Sequence, residues 1–166
     1  MSIAIDMTGK VAVVTGAASG LGKATALKLA RTGADLCLVD RDEAGLAETA
    51  AEATGLGAKV MVHRADLSDA DQCAPIVAAA AGHFGRLDAL CNVAGIIVMA
   101  HAHEMPRADW DRIIAVNLTA PFLLSQAAIP HLLESEGAIV NVASSAAYIG
   151  EAYAVAYCSS KFGLLG

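Results

Sequence analysis

The chain has 166 residues, 56% of them hydrophobic and 17% charged, with 11 basic and 17 acidic side chains giving a formal net charge of −6. That length suits one domain with a real core, and few charges among much Ala, Val and Leu point to a sheet covered on both faces. The absence of a basic tract argues against nucleic acid and anionic membrane as partners, no unbroken apolar run reaches the ~18 residues of a bilayer span, and Met1-Ser2-Ile3-Ala4-Ile5-Asp6 lacks the pattern of an export signal.

Strands and helices alternate along the whole chain. The pattern predicts a strand over 10–15, a glycine turn and a helix through about 30, a second strand over 35–40, a helix over 43–53 and a third strand over 59–63. A helix ending near 84 follows, then a fourth strand over 87–93, a long helix over 107–133, a fifth strand over 138–142 and a last helix from about 154. Repeated βα units with short Gly/Asp turns predict an α/β, Rossmann-type doubly wound parallel sheet with right-handed crossovers. The cysteines, Cys37, Cys73, Cys91 and Cys158, form no C-x-x-C pair, and two fall inside expected strands. That usage fits a reduced, cytoplasmic protein.

The first turn reads Thr15-Gly16-Ala17-Ala18-Ser19-Gly20-Leu21-Gly22. A glycine-rich strand-to-helix turn brings backbone N–H groups up to a pyrophosphate at the positive end of the helix. The spacing is G-x-x-x-G-x-G, and Ala24 stands where a P-loop needs Ser or Thr. Asp40 ends the second expected strand, where a carboxylate can accept from both ribose hydroxyls and would repel a 2′-phosphate. That favours NAD over NADP. Arg41 partly offsets the repulsion, and capping of the next helix is an alternative role for Asp40. Asp66-Leu67, after the third strand, is placed to flank an adenine or to neighbour a helix cap.

Tyr157-Cys158-Ser159-Ser160-Lys161 puts a tyrosine four residues before a lysine, on one helix face. An ammonium beside a phenol favours the phenolate, giving an acid/base able to exchange a proton with an alcohol or ketone. Further upstream, the Asn117 carbonyl would normally accept from the N–H of residue 121. That residue is Pro121, so a free carbonyl and a kink are expected there. His101-Ala102-His103-Glu104 has no evident further ligand and reads as a solvated loop, so no metal site is expected. No G-x-S-x-G surrounds a serine, which leaves acyl-transfer hydrolysis unsupported.

Together these motifs resemble the short-chain dehydrogenase/reductase family. Thr15, Gly16, Gly20 and Gly22 match its T-G-x-x-x-G-x-G, and Asn92-Val93-Ala94-Gly95 matches its N-N-A-G with Val93 in place of the second asparagine. Its active-site asparagine falls on Asn117, within Val116-Asn117-Leu118. Its serine falls on Ser144, thirteen residues before Tyr157, with Lys161 completing the set. Strand alternation is a second reason to prefer Ser144 to Ser145.

The resemblance implies hydride transfer between NAD and a secondary alcohol or ketone, a small-molecule substrate. Tyr157 would be the acid/base, Ser144 a donor to the substrate oxygen, and Lys161 a ligand of the nicotinamide ribose. The Asn117 carbonyl would hold a water that passes protons to that lysine. Coenzyme contacts are implied for Gly16, Ser19, Gly20, Leu21 and Gly22 in the turn, Asp40 and Arg41, Asp66 and Leu67, Asn92, Ala94 and Gly95, and Val116, Tyr157 and Lys161. Ile96, Ile97, Val98 and Met99, with Tyr148, Ile149, Glu151 and Tyr153, would border the substrate pocket. Their apolar character suits a hydrophobic or acyl-type substrate, and core packing accounts for the isoleucines equally well. A homo-dimer or tetramer is implied. A relative would continue for two more βα units, so residues 1–166 are expected to be one NAD(P)-binding domain lacking its C-terminal strands. The alternative is a nucleotide-binding fragment with little or no activity.

Overall fold

The computed structural model describes residues 5–166, so Met1–Ala4 of the opening stretch lie outside the described residues. Its centre is a five-stranded parallel sheet in the order β3-β2-β1-β4-β5. The strands are β1 (Val11–Thr15), β2 (Asp35–Asp40), β3 (Val60–Arg64), β4 (Ala89–Asn92) and β5 (Ala138–Asn141). Side chains alternate between the sheet's two faces. Val11, Val13, Cys37, Val39 and Leu90 enter one core, while Ala12, Val14, Leu36, Leu38 and Cys91 enter the other. The first core is closed by α3 (Cys73–Phe84) and by α5 (Ala120–Ser135), the second by α1 (Gly20–Arg31) and α2 (Glu43–Gly55). Both faces of the central strands are therefore covered, as a strand reading Val-Ala-Val-Val-Thr requires, while the edge strand β5 stays largely exposed. Burial also explains the cysteines: it pushes the Cys37 thiol up to about 12 and raises Cys73 and Cys91 as well.

The expected elements are all present, with shifted ends. β4 is shorter than 87–93 because its flanks are claimed by side chains. Asp88 turns its carboxylate onto the Val11 N–H at 2.9 Å, and the Val93 N–H donates to Thr15 Oγ1 at 3.0 Å. β5 stops at Asn141 instead of 142, β1 starts at Val11 instead of 10, and β3 is displaced by one residue. Helix α2 runs two residues further than expected, and the last helix, α6, spans Val155–Leu165.

The long helix after β4 is interrupted. Helix α4 (Arg107–Ile114) leads into a five-residue π turn, Ala115–Thr119, and then α5. The Ala120 N–H donates back to the Ala115 carbonyl, one residue beyond the α-helical partner. Pro121 is the cause the sequence supplies: it has no N–H for the Asn117 carbonyl, and its ring crowds that carbonyl. The expected break thus takes the form of a widened turn upstream of the proline. Arg107–Ser135 is 29 residues long and by length and composition apolar enough to cross a membrane. Arg107, Asp109, Asp111 and Arg112 interrupt it, so it holds no unbroken apolar run of that length. Leu124, Ala128 and Leu132 of this stretch pack into the sheet core.

Candidate active site

The sheet order reverses between β1 and β4, and the crevice outside the carboxyl ends of those strands is where α/β folds bind ligands. A cleft of about 330 Å³ lies there. Its floor is the first turn, from which Gly16, Ser19, Gly20, Leu21 and Gly22 all face the cleft. Gly16 sits at φ +71°, and a Cβ on it would come within 2.9 Å of Ala94 Cα. A Cβ on Gly22 would overlap the Gly16 carbonyl. The turn is folded so tightly on itself and on the strand-four loop that side chains are excluded at both positions.

Asp40, Arg41, Asp66 and Leu67 also line the cleft, as do Ala94, Gly95 and Val116. Helix capping does not explain Asp40, since Asp42 caps α2 by accepting from Ala44 and Gly45. The Asp40 carboxylate accepts from the N–H groups of Ala18 (3.1 Å), Arg41 (2.7 Å) and Asp42 (3.1 Å), which fixes it at the rim. Asp66 does neighbour a cap, its carbonyl accepting from the Asp69 N–H at 3.0 Å. It accepts from the Ser68 N–H and hydroxyl at 2.9 and 2.7 Å, while Asp69 caps the following 3-10 turn. Those Ser68 bonds, with smaller attractions to Arg41 and Arg112, hold its carboxyl below the ordinary range.

Asn92 departs from expectation. Its amide Nδ2 donates to Asn141 Oδ1 at 2.8 Å and to Ser125 Oγ at 3.4 Å, so the side chain ties β4 to β5 and α5 and does not line the cleft. Its Oδ1 is buried without a partner.

Tyr157 and Lys161 share one face of α6, with Lys161 Nζ 5.8 Å from the centre of the tyrosine ring. Lys161 is only 4% exposed, and burial lowers its pKa from the ordinary lysine value. Its ammonium donates to the Val142 carbonyl at 2.7 Å. It also stands 3.6 Å from where a Cβ on Gly95 would be; Gly95 lines the cleft, while Lys161 and Tyr157 themselves do not. Asn117 is fully buried in the π turn. Its side chain pairs with the backbone of Ile96 at 2.8 and 2.9 Å and donates to Ser160 Oγ at 3.1 Å.

Ser144 lies beyond the end of β5, so strand alternation does not separate it from Ser145. A 3-10 turn, Ser145–Ala147, does so instead. Ser144 caps that turn through the Ala146 N–H, and Ala146 packs with Ala154, Cys158 and Tyr157. Ser145 turns away to Glu151 Oε1 at 3.4 Å. Around this corner Ile97, Met99, Tyr148, Ile149 and Tyr153 are exposed, which removes core packing as the account of Ile97. His101 stacks edge-on against Tyr153.

The pattern of the short chain dehydrogenases matches residues 10–166. The chain belongs to the short-chain dehydrogenase family. It is 44% identical over 164 residues to a D-threitol dehydrogenase of Mycolicibacterium smegmatis, covering 96% of this chain and 62% of that relative. It is 38% identical over 161 residues to the 3-oxoacyl-[acyl-carrier-protein] reductase FabG of Thermotoga maritima, covering 96% of this chain and 65% of the relative. A metagenomic short-chain oxidoreductase solved in complex with NADP superposes with a TM-score of 0.92 at 40% identity, over 96% of this chain and 73% of that one. The chain thus spans under two thirds of the length of these two curated relatives. As a member of this family it is related to nicotinamide-dependent oxidoreductases.

Three contributors to the site escaped the sequence reading. Thr15 Oγ1 accepts from Val93 and Ala94 at 3.0 and 3.1 Å and so holds the second wall against the first turn. Its place at the head of the glycine motif was the available signal. Ser160 and Arg112 carried none, because neither has a characteristic spacing to anything else in the chain.

Proposed function

We propose that the protein binds NAD in the cleft above β1 and β4 and interconverts a secondary alcohol and a ketone, with Tyr157 as the acid/base. The observation that carries this reading is the Tyr157–Lys161 pair on one helix face, the tyrosine half-buried and the lysine buried, with Lys161 Nζ beside Gly95 of the cleft built on the glycine turn. The turn suits a dinucleotide: Cβ atoms are excluded at Gly16 and Gly22, so at those two positions the backbone itself borders the cleft. Asp40 supports NAD over NADP, since its anchored carboxylate is poised for ribose hydroxyls and opposes a phosphate.

When bound, the nicotinamide supplies the hydride acceptor or donor. The remaining chemistry belongs to the chain. Tyr157 exchanges a proton with the substrate oxygen, the Ser144 hydroxyl donates to that oxygen, and Lys161 provides positive charge beside the phenol. The Asn117 side chain is fully used by Ile96 and Ser160, so any part it has in proton transfer falls to its backbone carbonyl. The substrate class is a secondary alcohol or its ketone, in line with the dehydrogenase and reductase names of the relatives. Exposed Phe122, Ile129 and Leu133 on α5, with Phe162 and Leu165 on α6, supply an apolar surface for a homo-oligomer.

The test is coenzyme binding followed by NAD reduction against a panel of secondary alcohols, in the protein that carries this chain. Tyr157→Phe should lower turnover by roughly 10²–10⁴-fold while leaving coenzyme affinity within a few-fold. Normal turnover by that variant would overturn the tyrosine's role. Binding of coenzyme with no turnover of any alcohol would overturn the enzymatic part.

A further inference from the structure

Arg112 lines the coenzyme cleft although nothing in the motif pattern points to it. It lies on α4, four residues before Val116, so the two side chains share a helix face. Both line the same cleft as Asp66 and Leu67. The simpler roles of a helix arginine do not apply. Arg112 falls in the last turn of α4, but the helix continues through the π turn into α5, so there is no free carboxyl end for it to complement. Among the described residues its guanidinium makes no ion pair or hydrogen bond. The ion pair of α4 belongs to Arg107 and Asp111, 2.7 Å apart. Arg112 is nevertheless near enough to Asp66 to help hold that carboxyl ionised.

We propose that Arg112 is a coenzyme-binding residue that closes the adenine end of the cleft. This rests on the dinucleotide reading above. A planar guanidinium with five unused donors suits the face and ring nitrogens of a purine. Asp66 has an oxygen not used by Ser68, which suits an exocyclic amine. Arg112 is exposed, so removing its side chain opens no cavity and the fold should be kept.

Titration with NAD⁺ and with ADP-ribose, followed by calorimetry, tests the assignment without any need for turnover. Arg112→Ala should weaken both ligands about tenfold, and Arg112→Gln should fall between the two. Arg107→Ala, which removes a charge from the same helix outside the cleft, should leave both affinities within twofold. The proposal is overturned if Arg112→Ala binds ADP-ribose as the parent does, or if Arg107→Ala weakens it equally. If the parent chain binds neither NAD⁺, NADP⁺ nor ADP-ribose, the dinucleotide reading itself fails, a result distinct from either of these.

Discussion

Asn117 Nδ2 donates to Ser160 Oγ at 3.1 Å, and Ser160 Oγ donates in turn to the Tyr157 carbonyl at 2.7 Å. The other hydrogen of the amide, and its oxygen, are spent on Ile96. One side chain therefore joins the π turn, the loop after Gly95 and the helix of Tyr157 and Lys161. Ser160 is fully buried, and pinning it sets the rotation of α6 about its own axis. Placement at that level matters, because a shift of about 1 Å in a reacting group can cost on the order of 100-fold in rate.

Ser160→Ala should destabilise the fold by about 1–3 kcal/mol, since it strands a buried Asn117 N–H. Ser159 is the control. It is exposed and bonds only the Val155 carbonyl of its own helix, so Ser159→Ala should lie within about 0.5 kcal/mol of the parent. Urea unfolding of both variants reads the difference, and equal effects would remove the structural importance assigned to the Asn117 contact.

Asp88 gives the fold a pH dependence. Burial opposes its charge, but the Arg86 guanidinium, the Val11 N–H and the Lys10 ammonium together outweigh this and bring it to about 2 from 3.8. A carboxyl whose folded pKa lies below its unfolded value stabilises the fold above the unfolded value. That contribution, about 2 kcal/mol, should be lost as the pH falls from about 4 to about 2. Asp88→Asn should be less stable at pH 7 by a similar amount and show a flatter stability curve over that window. Chemical denaturation at a series of pH values checks both, and a parent-like slope in the variant would assign the acid sensitivity to other groups.

The sheet and its site were legible to different degrees, for physical reasons. The turn from Thr15 to Gly22 could be read because glycine spacing is a statement about backbone conformation and close approach. Tyr157 and Lys161 could be read because a four-residue spacing places two side chains together on any helix. Pro121 announced a disturbance at Asn117, but whether the helix kinks or widens depends on what packs against it. The direction of the Asn92 amide could not be read, because its motif names a position in the chain while Ser125 and Asn141 on other elements decide where the side chain points. Arg112 looked like any solvated helix arginine until the packing of α4 across the cleft gave it an address.

Gly22→Ala should damage binding through shape alone. Its Cβ would collide with the Gly16 carbonyl, which is backbone and cannot swing aside. The turn must open, with a stability cost of about 1–3 kcal/mol. NAD⁺ affinity should fall by more than tenfold, because the N–H groups aimed at the pyrophosphate move with the turn. Gly55→Ala, at a helix position where a Cβ meets nothing within 4 Å, should leave both properties near the parent's. A thermal melt and a coenzyme titration on the two variants decide it, and a fully binding Gly22→Ala would contradict a backbone cradle.

In the proposed reading, coenzyme choice turns on Asp40. Asp40→Asn is nearly isosteric and its Oδ1 can still accept from the N–H groups of Arg41 and Asp42, while the contact of Oδ2 with the Ala18 N–H is lost, so the rim should hold most of its shape. What changes is charge. A ribose diol loses a strong acceptor, and a 2′-phosphate loses a repelling neighbour while Arg41 stays beside it. NAD⁺ should bind several-fold more weakly and NADP⁺ several-fold more tightly, moving the ratio of the two dissociation constants by about tenfold or more. The ratio is the quantity to measure, because a general disturbance of the cleft lowers both affinities together and leaves it unchanged. An unchanged ratio would take the selection of NAD away from Asp40, and tighter binding of NADP⁺ than NAD⁺ by the parent would reverse it.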